Sequence, residues 1–393
     1  MSVVERYLTL GLRLGKHVDG LVDAYYGPPD LAQAVATEEP RAPEALAADA
    51  DVLLGDLDRA DLDESRRLWL RDQVVGVRAY AGRLAGEEIG YRDEVERCYG
   101  IRPTWIPEET FARAHERLEE LLVGRETLVE RMEAWRERTI VPGEKLAAAF
   151  EAVAALMREA TSRRYTLPAE ESFTLELVRD EPWEAYNYYL GGRRSRIALN
   201  VDRPTSAAFL IELVAHEAYP GHHTEQSLKE EALVAQGLVE AALSLVPTPQ
   251  SIVSEGIAEN AWGAIADDEL RHALVDVLAG LGVEYDMAKA EAIAEAARDL
   301  RFVSSNAAQL LYEDGGTEDD AQAYVERWAA TTPKRAASAR RFIADPLWRA
   351  YVSTYSYGGT LVRAHVDGQP ERFGELLRRH VRVADLLPIS SGA

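Results

Sequence analysis

Cysteine is nearly absent from this 393-residue chain, where Cys98 stands alone. A single thiol excludes an intramolecular disulfide framework and a cysteine-rich metal site, and fits a reducing compartment. No run of eighteen apolar residues occurs, so no segment reads as a membrane-spanning helix. The first twenty residues carry Glu5, Arg6, Arg13 and Lys16 among their apolar positions and do not read as a secretory leader. Val4, Tyr7, Leu8 and Leu12 mark one face of an amphipathic helix there instead. A cytoplasmic location is the expectation. Positive charge is also scarce, with 44 Lys+Arg against 67 Asp+Glu and a formal net charge of −23. That excess repels phosphate backbones and anionic headgroups, so neither nucleic acid nor a membrane surface is an expected partner. What is present, 47% hydrophobic and 28% charged residues, is the composition of a globular protein with two or three core-forming units.

Residues 1–165 read as helical and are punctuated at Gly27-Pro28-Pro29, Glu39-Pro40, Gly90, residues 100–107 and Pro142-Gly143. Five or six helices fill these intervals. After Tyr165 the period changes. Phe173, Leu175 and Leu177 alternate with polar residues, a run from Ala185 to Leu190 ends at Gly191-Gly192, and Ile197, Leu199 and Val201 alternate again. This pattern predicts three strands in a small antiparallel meander, the only β-structure of the chain. If the strand from Ile197 to Val201 is an edge, it offers backbone groups for an extended substrate. Capping residues from Asp202 to Ser206 restart helix, which continues to the end with breaks near Pro247, Gly280, Gly315 and Pro346. The expected fold is mainly α and multihelical. Its halves, residues 1–165 and the catalytic 166–393, pack as one unit around a cleft.

Three of the eight histidines lie within His216-Glu217-Ala218-Tyr219-Pro220-Gly221-His222-His223. A histidine, an acid and a second histidine at that spacing arise by chance only about 0.03 times in a chain of this composition. Neutral imidazoles bind Zn²⁺, a third protein ligand completes the set, and an open position holds a water acidified to a pKa of about 7. Glu217, next to the first ligand, is placed to act as general base. Position i+4 of a regular His-Glu-x-x-His helix is here Pro220, so a local kink at Pro220-Gly221 has to bring the later histidine back. Deleting those two residues in thought leaves His-Glu-Ala-Tyr-His, which selects His222 as second ligand and leaves His223 to support the site or touch substrate. Thr248-Pro249 opens another helix, on which Glu255 and Glu259 share one face. Glu255 is the expected third ligand, and Glu259 the acceptor for an imidazole N–H. Arg193, Arg194 and Arg196 are candidates to bind a substrate carboxylate.

HEAYPGHH followed by SEGIAEN resembles the H-E-x-x-P-G-H-H and E-G-x-A motifs of the bacterial family called domain of unknown function 885, itself similar to zinc metallopeptidases of the carboxypeptidase Taq type. The likeness runs from about Tyr186 to the C-terminus and includes Tyr355-Ser356-Tyr357-Gly358, similar to that family's late Y-x-x-G segment. Ile257 stands where the family usually carries tryptophan. The resemblance implies a deep cleft, one zinc ion and hydrolysis of a peptide or small amide. It also implies that Tyr355 donates a hydrogen bond to the tetrahedral oxyanion, a role for which a phenol is suited. Tyr357 lies beside it as a further contact.

Two rivals deserve weighing. A non-catalytic helical binding protein could keep the metal for structure, but structural zinc sites are closed by four protein ligands. A di-iron oxidoreductase needs two Glu-x-x-His pairs on separate helices, and only Glu269 with His272 is found.

Overall fold

A computed structural model describes residues 1–181, 183–346 and 348–387. The chain is mainly α-helical, as its patterning predicts. It begins with α1 (Val3–Leu14), β1 (Val22–Tyr25), α2 (Pro29–Thr37), α3 (Pro43–Leu57) and α4 (Glu64–Leu84). There follow α5 (Tyr91–Tyr99), α6 (Glu108–Leu121), α7 (Leu128–Arg138) and α8 (Leu146–Arg164). Eight α-helices thus occupy the stretch where five or six are expected. The two unforeseen breaks carry no proline, and only the second carries a glycine, Gly124. They are marked by caps: Asp63 accepts from the Arg66 amide at 2.9 Å, and Thr127 forms a capping box with Glu130.

The sheet comprises β2 (Ser172–Val178), β3 (Ala185–Gly191) and β4 (Arg194–Asn200). Its order is β2-β4-β3, with β4 antiparallel to β3 but parallel to β2. The expected antiparallel meander is therefore corrected to a mixed sheet, and the expected edge strand is its centre. The reason is legible in burial. Ile197, Ala198 and Leu199 are each at most 1% exposed, a continuous buried run suited to a central strand, whereas Leu177 on β2 is 51% exposed. A central strand has no unpaired backbone to offer a substrate, so strand addition at Ile197 is removed.

The chain continues through α9 (Ala207–Glu217), α10 (His222–Ala232), β5 (Leu243–Leu245), α11 (Pro249–Glu259), α12 (Ala261–Ile265), α13 (Asp268–Gly280) and α14 (Met287–Ala297). The last elements are α15 (Val303–Tyr312), α16 (Glu318–Trp328), α17 (Pro333–Ala344), α18 (Val352–Val366), α19 (Pro370–Leu376) and α20 (Val383–Leu386). Strand β5 pairs antiparallel with β1, so β-structure is not confined to the region after Tyr165. Leu243 and Leu245 join a core with Tyr7, Leu8, Leu53, Trp69 and Leu70 of α1, α3 and α4. A larger core joins Phe111 and Phe150 of the N-terminal helices to Ile197, Val214, Ile252, Val303 and Phe373. Among the described residues no helix is long and apolar enough to cross a membrane.

Candidate metal centre

The histidine cluster lies at a joint between two helices. The expected kink is a full break, since α9 ends at Glu217 and α10 starts at His222, with a cis Tyr219-Pro220 bond between them. Backbone hydrogen bonds bridge the break, from the Gly221 amide to the Ala215 carbonyl at 2.9 Å and from the Thr224 amide to the Ala218 carbonyl at 3.3 Å. Both span six residues where a helix spans four, the signature of two inserted residues. Gly221 is required here: a Cβ would fall 1.9 Å from the His216 carbonyl oxygen and 2.4 Å from that of Ala215. The turn brings the imidazoles of His216 and His222 into an edge-to-face pair with their Nε2 atoms 3.1 Å apart.

The third arm comes from α11. Its Gly256 meets Gly358 of α18 so closely that a Cβ on Gly256 would sit 2.4 Å from the Gly358 carbonyl oxygen. That contact places the tyrosines of α18 over the acids of α11. Tyr351, preceding α18, donates to Glu255 Oε1 at 2.7 Å. Glu255 Oε1 is 3.8 Å from His222 Nε2, and Glu255 Oε2 is 3.6 Å from His216 Nε2. Oε2 is buried and has no hydrogen-bond partner among the described residues.

These atoms fit a small divalent cation. Zinc bonds of about 2.0–2.1 Å in a tetrahedron put neighbouring ligand atoms roughly 3.3 Å apart. The separations of His216 Nε2 from His222 Nε2, 3.1 Å, and from Glu255 Oε2, 3.6 Å, lie on either side of that value, and one donor atom from each of the three residues lies within 4.8 Å of the others. A buried carboxylate oxygen without a hydrogen-bond partner, beside the paired Nε2 atoms of two imidazoles, is a donor set suited to such a cation. Electrostatics agree. Burial, then the charges of His222 and Arg301, hold His216 well below the usual imidazole range. For His222 burial acts in the same direction, but Glu225, whose Oε2 lies 4.0 Å from Nδ1, and the charges of Glu255 and Glu217 outweigh it and push the ring up. Burial, reinforced by neighbouring acids, pushes Glu217 and Glu255 each to about 7. Positive charge at this point is what the surrounding carboxylates favour.

Comparison with known proteins adds a fold. No family model matches the sequence, and a comparison with curated proteins finds no match. Among solved structures the chain is similar to a protein of Colwellia psychrerythraea provisionally described as a lipoprotein, with a TM-score of 0.54 and 18% identity. The match covers 86% of this chain and 65% of that one, so this chain spans less than two thirds of that relative. A second structure, from Shewanella oneidensis and also provisionally described as a lipoprotein of unknown function, gives a TM-score of 0.42 at 13% identity, covering 91% and 75% of the two chains. The first likeness establishes a shared fold at this identity and nothing about chemistry.

The remaining sequence candidates divide. Glu259 Oε1 stands 3.9 Å from His216 Nδ1 and its other oxygen is bound by Arg301, a residue the motifs did not indicate. Tyr355 is 38% exposed and packs edge-on against Tyr351. His223 takes neither expected role. It is fully buried, with Nδ1 on Ser195 Oγ and Nε2 on Glu171 Oε2, both at 2.8 Å. Tyr357 is likewise reassigned, because its hydroxyl accepts from the Thr104 amide at 2.9 Å and donates to the Thr104 carbonyl at 3.1 Å. Arg194 and Arg196 project from the face of β4 opposite Ser195, and Arg196 is held by Glu176 with its guanidinium 4.0 Å from the Tyr188 ring centroid. Of the di-iron rival, His272 Nδ1 lies 2.6 Å from the Asp268 carbonyl on the exposed face of α13, and Glu269 is largely exposed. Glu225 and Ser254 contact His222 and were not singled out, although Glu225 is one turn beyond it and Ser254 directly precedes Glu255. Asp23, which accepts from Tyr186 and acts electrostatically on His222, comes from β1 and left no local signal.

Proposed function

We propose that this protein is a zinc-dependent hydrolase of peptide or small amide bonds, of the carboxypeptidase-like kind its motifs resemble. The observation that carries the reading is the convergence of His216 Nε2, His222 Nε2 and an unpartnered Glu255 Oε2, with the acid Glu217 directly following His216. Three protein ligands, not four, leave a position open for reaction. Zinc bound there would supply Lewis acidity and lower the pKa of a coordinated water to about 7. Glu217, only 7% exposed, would take the attacking water's proton on its carboxylate and pass it to the leaving amine. Tyr351 has its hydroxyl proton on Glu255 and so steadies that carboxylate. Tyr355 is the phenol left to donate to the oxyanion of the tetrahedral species. A cytoplasmic location belongs to the same reading and is tested by fractionation.

The experiment is elemental analysis with peptide and amide hydrolysis assays on the wild type, Glu217→Gln and Glu255→Ala. One zinc per chain is expected in the wild type. Glu217→Gln should keep zinc and lose about 10²–10⁴ in rate, the usual cost of removing a general base. Glu255→Ala should lose the metal. Two irons per chain, no zinc after reconstitution, or undiminished hydrolysis by Glu217→Gln each overturn the reading.

A further inference from the structure

A buried chain of polar groups stands behind His222, and none of its members is a proposed ligand or base. Glu225, on the first turn of α10, is fully buried. Its Oε1 is held by the ammonium of Lys229 at 2.5 Å, so the carboxylate is an ion pair and only accepts hydrogen bonds. Its Oε2 lies 2.5 Å from Ser254 Oγ. The single hydroxyl hydrogen of Ser254 must point there, because a carboxylate has none to give. Ser254 Oγ has only lone pairs left for its other partner, His222 Nδ1 at 3.2 Å. Nδ1 therefore carries the hydrogen, and in the neutral ring the lone pair is on Nε2.

We propose that Ser254 and Glu225 are positioning residues that fix His222 as the Nδ1–H tautomer and aim its Nε2 lone pair at the metal position between His216 and Glu255. This inference rests on the proposed metal site. Its geometry is economical: α11 supplies a ligand in Glu255 and, one residue earlier, the group that orients a ligand on α10. The Glu225 carboxylate, acting through Ser254, also raises the basicity of His222 Nε2, the effect that outer partners of metal-bound histidines exert.

The test measures zinc affinity by chelator competition, with the histidine ring N–H proton resonances of the zinc-loaded protein. The wild type should show a slowly exchanging Nδ1–H proton from His222. Ser254→Ala should bind zinc about 10–100-fold more weakly and lose that resonance, while Ser254→Thr, which keeps the hydroxyl, should restore both. A packing role alone would not be rescued through a hydrogen bond to one ring nitrogen. If Ser254→Ala melts far below the wild type, the paired variant Glu225→Gln/Lys229→Met removes the directing carboxylate without leaving a buried charge unpaired, and should also weaken zinc. Wild-type affinity and an unchanged His222 resonance in a folded Ser254→Ala, or in the paired variant, overturn this inference while leaving the metal site standing. Failure of the wild type to bind zinc at all overturns the underlying reading instead.

Discussion

His222 and His223 are neighbours on one helix, and each contacts a serine, yet the fold gives them opposite uses. His222 directs Nδ1 at Ser254, with the carboxylate of Glu225 one bond further out, and keeps Nε2 for the space shared with His216 and Glu255. His223 places a carboxylate directly on Nε2, so that nitrogen carries a hydrogen and has no lone pair to offer. Its Nδ1 is taken by Ser195. The arrangement of Ser195, His223 and Glu171 looks like a hydrolytic triad in residue type, but Ser195 is 2% exposed and His223 is closed on both nitrogens. The difference teaches that histidine chemistry is decided by which nitrogen the outer partner occupies and whether the other opens onto space.

The joint beneath both rings gives the largest perturbation. Gly221→Ala places a methyl group 1.9 Å from a backbone carbonyl oxygen, and backbone cannot swing aside as a side chain can. The expected cost is about 4–5 kcal/mol, the exceptional range for one substitution. Zinc binding and thermal stability should fall together. A variant with native melting and native zinc content would show that the α9–α10 joint tolerates a different path.

Separating the rings comes next. His222→Ala should lose zinc by far more than the roughly 10–100-fold that loss of an outer partner costs, with melting measured without metal changed little. His223→Ala should keep one zinc per chain yet lose about 3 kcal/mol in urea unfolding, since it strips a partner from the buried Glu171 carboxylate. Reversal of the two outcomes would mean that the joint presents His223 to the metal.

How much of this was legible follows from the range of the signals. The metal trio rests on local spacing, two histidines across a Pro-Gly insertion and a glutamate six residues past the proline that opens a predicted helix, and the structure brings those three together. Strand β4 was located correctly but its neighbours were not, because alternation along a strand says which residues share a face and nothing about which strand lies beside it. Strand β1 was missed altogether. It has four residues and pairs with β5 across more than half the chain, and Asp23, which acts electrostatically on His222, lies on it. The assignment of His223 failed for a related reason: its partner Glu171 precedes β2 and looks in sequence like any acid in a loop.

The smallest expected effect sharpens the sealed side of the comparison. Burial raises the Glu171 pKa, but hydrogen bonds from His223 and Tyr219 and the charges of His223 and Arg158 outweigh it, so the carboxyl lies below its ordinary 4.5. Tyr219 donates at 2.6 Å and Arg158 at 2.6 Å, the latter to the other oxygen. A carboxyl whose pKa is lower in the folded state contributes stability that is fully present above about pH 4.5 and is lost as pH falls through the folded value. Glu171→Gln removes that contribution, so at pH 7 it should be less stable than the wild type by about 1–3 kcal/mol, the cost of weakening a buried charged hydrogen-bond set. The gap should narrow steadily below pH 4.5, where the wild type also becomes neutral at this position. Urea unfolding at pH 7, 4.5 and 3 reads this directly, and His223→Ala should shrink the same gap from the other partner. A gap constant with pH would mean that Glu171 does not titrate differently in the folded chain, and that the sealed histidine is held by packing and not by its charge network.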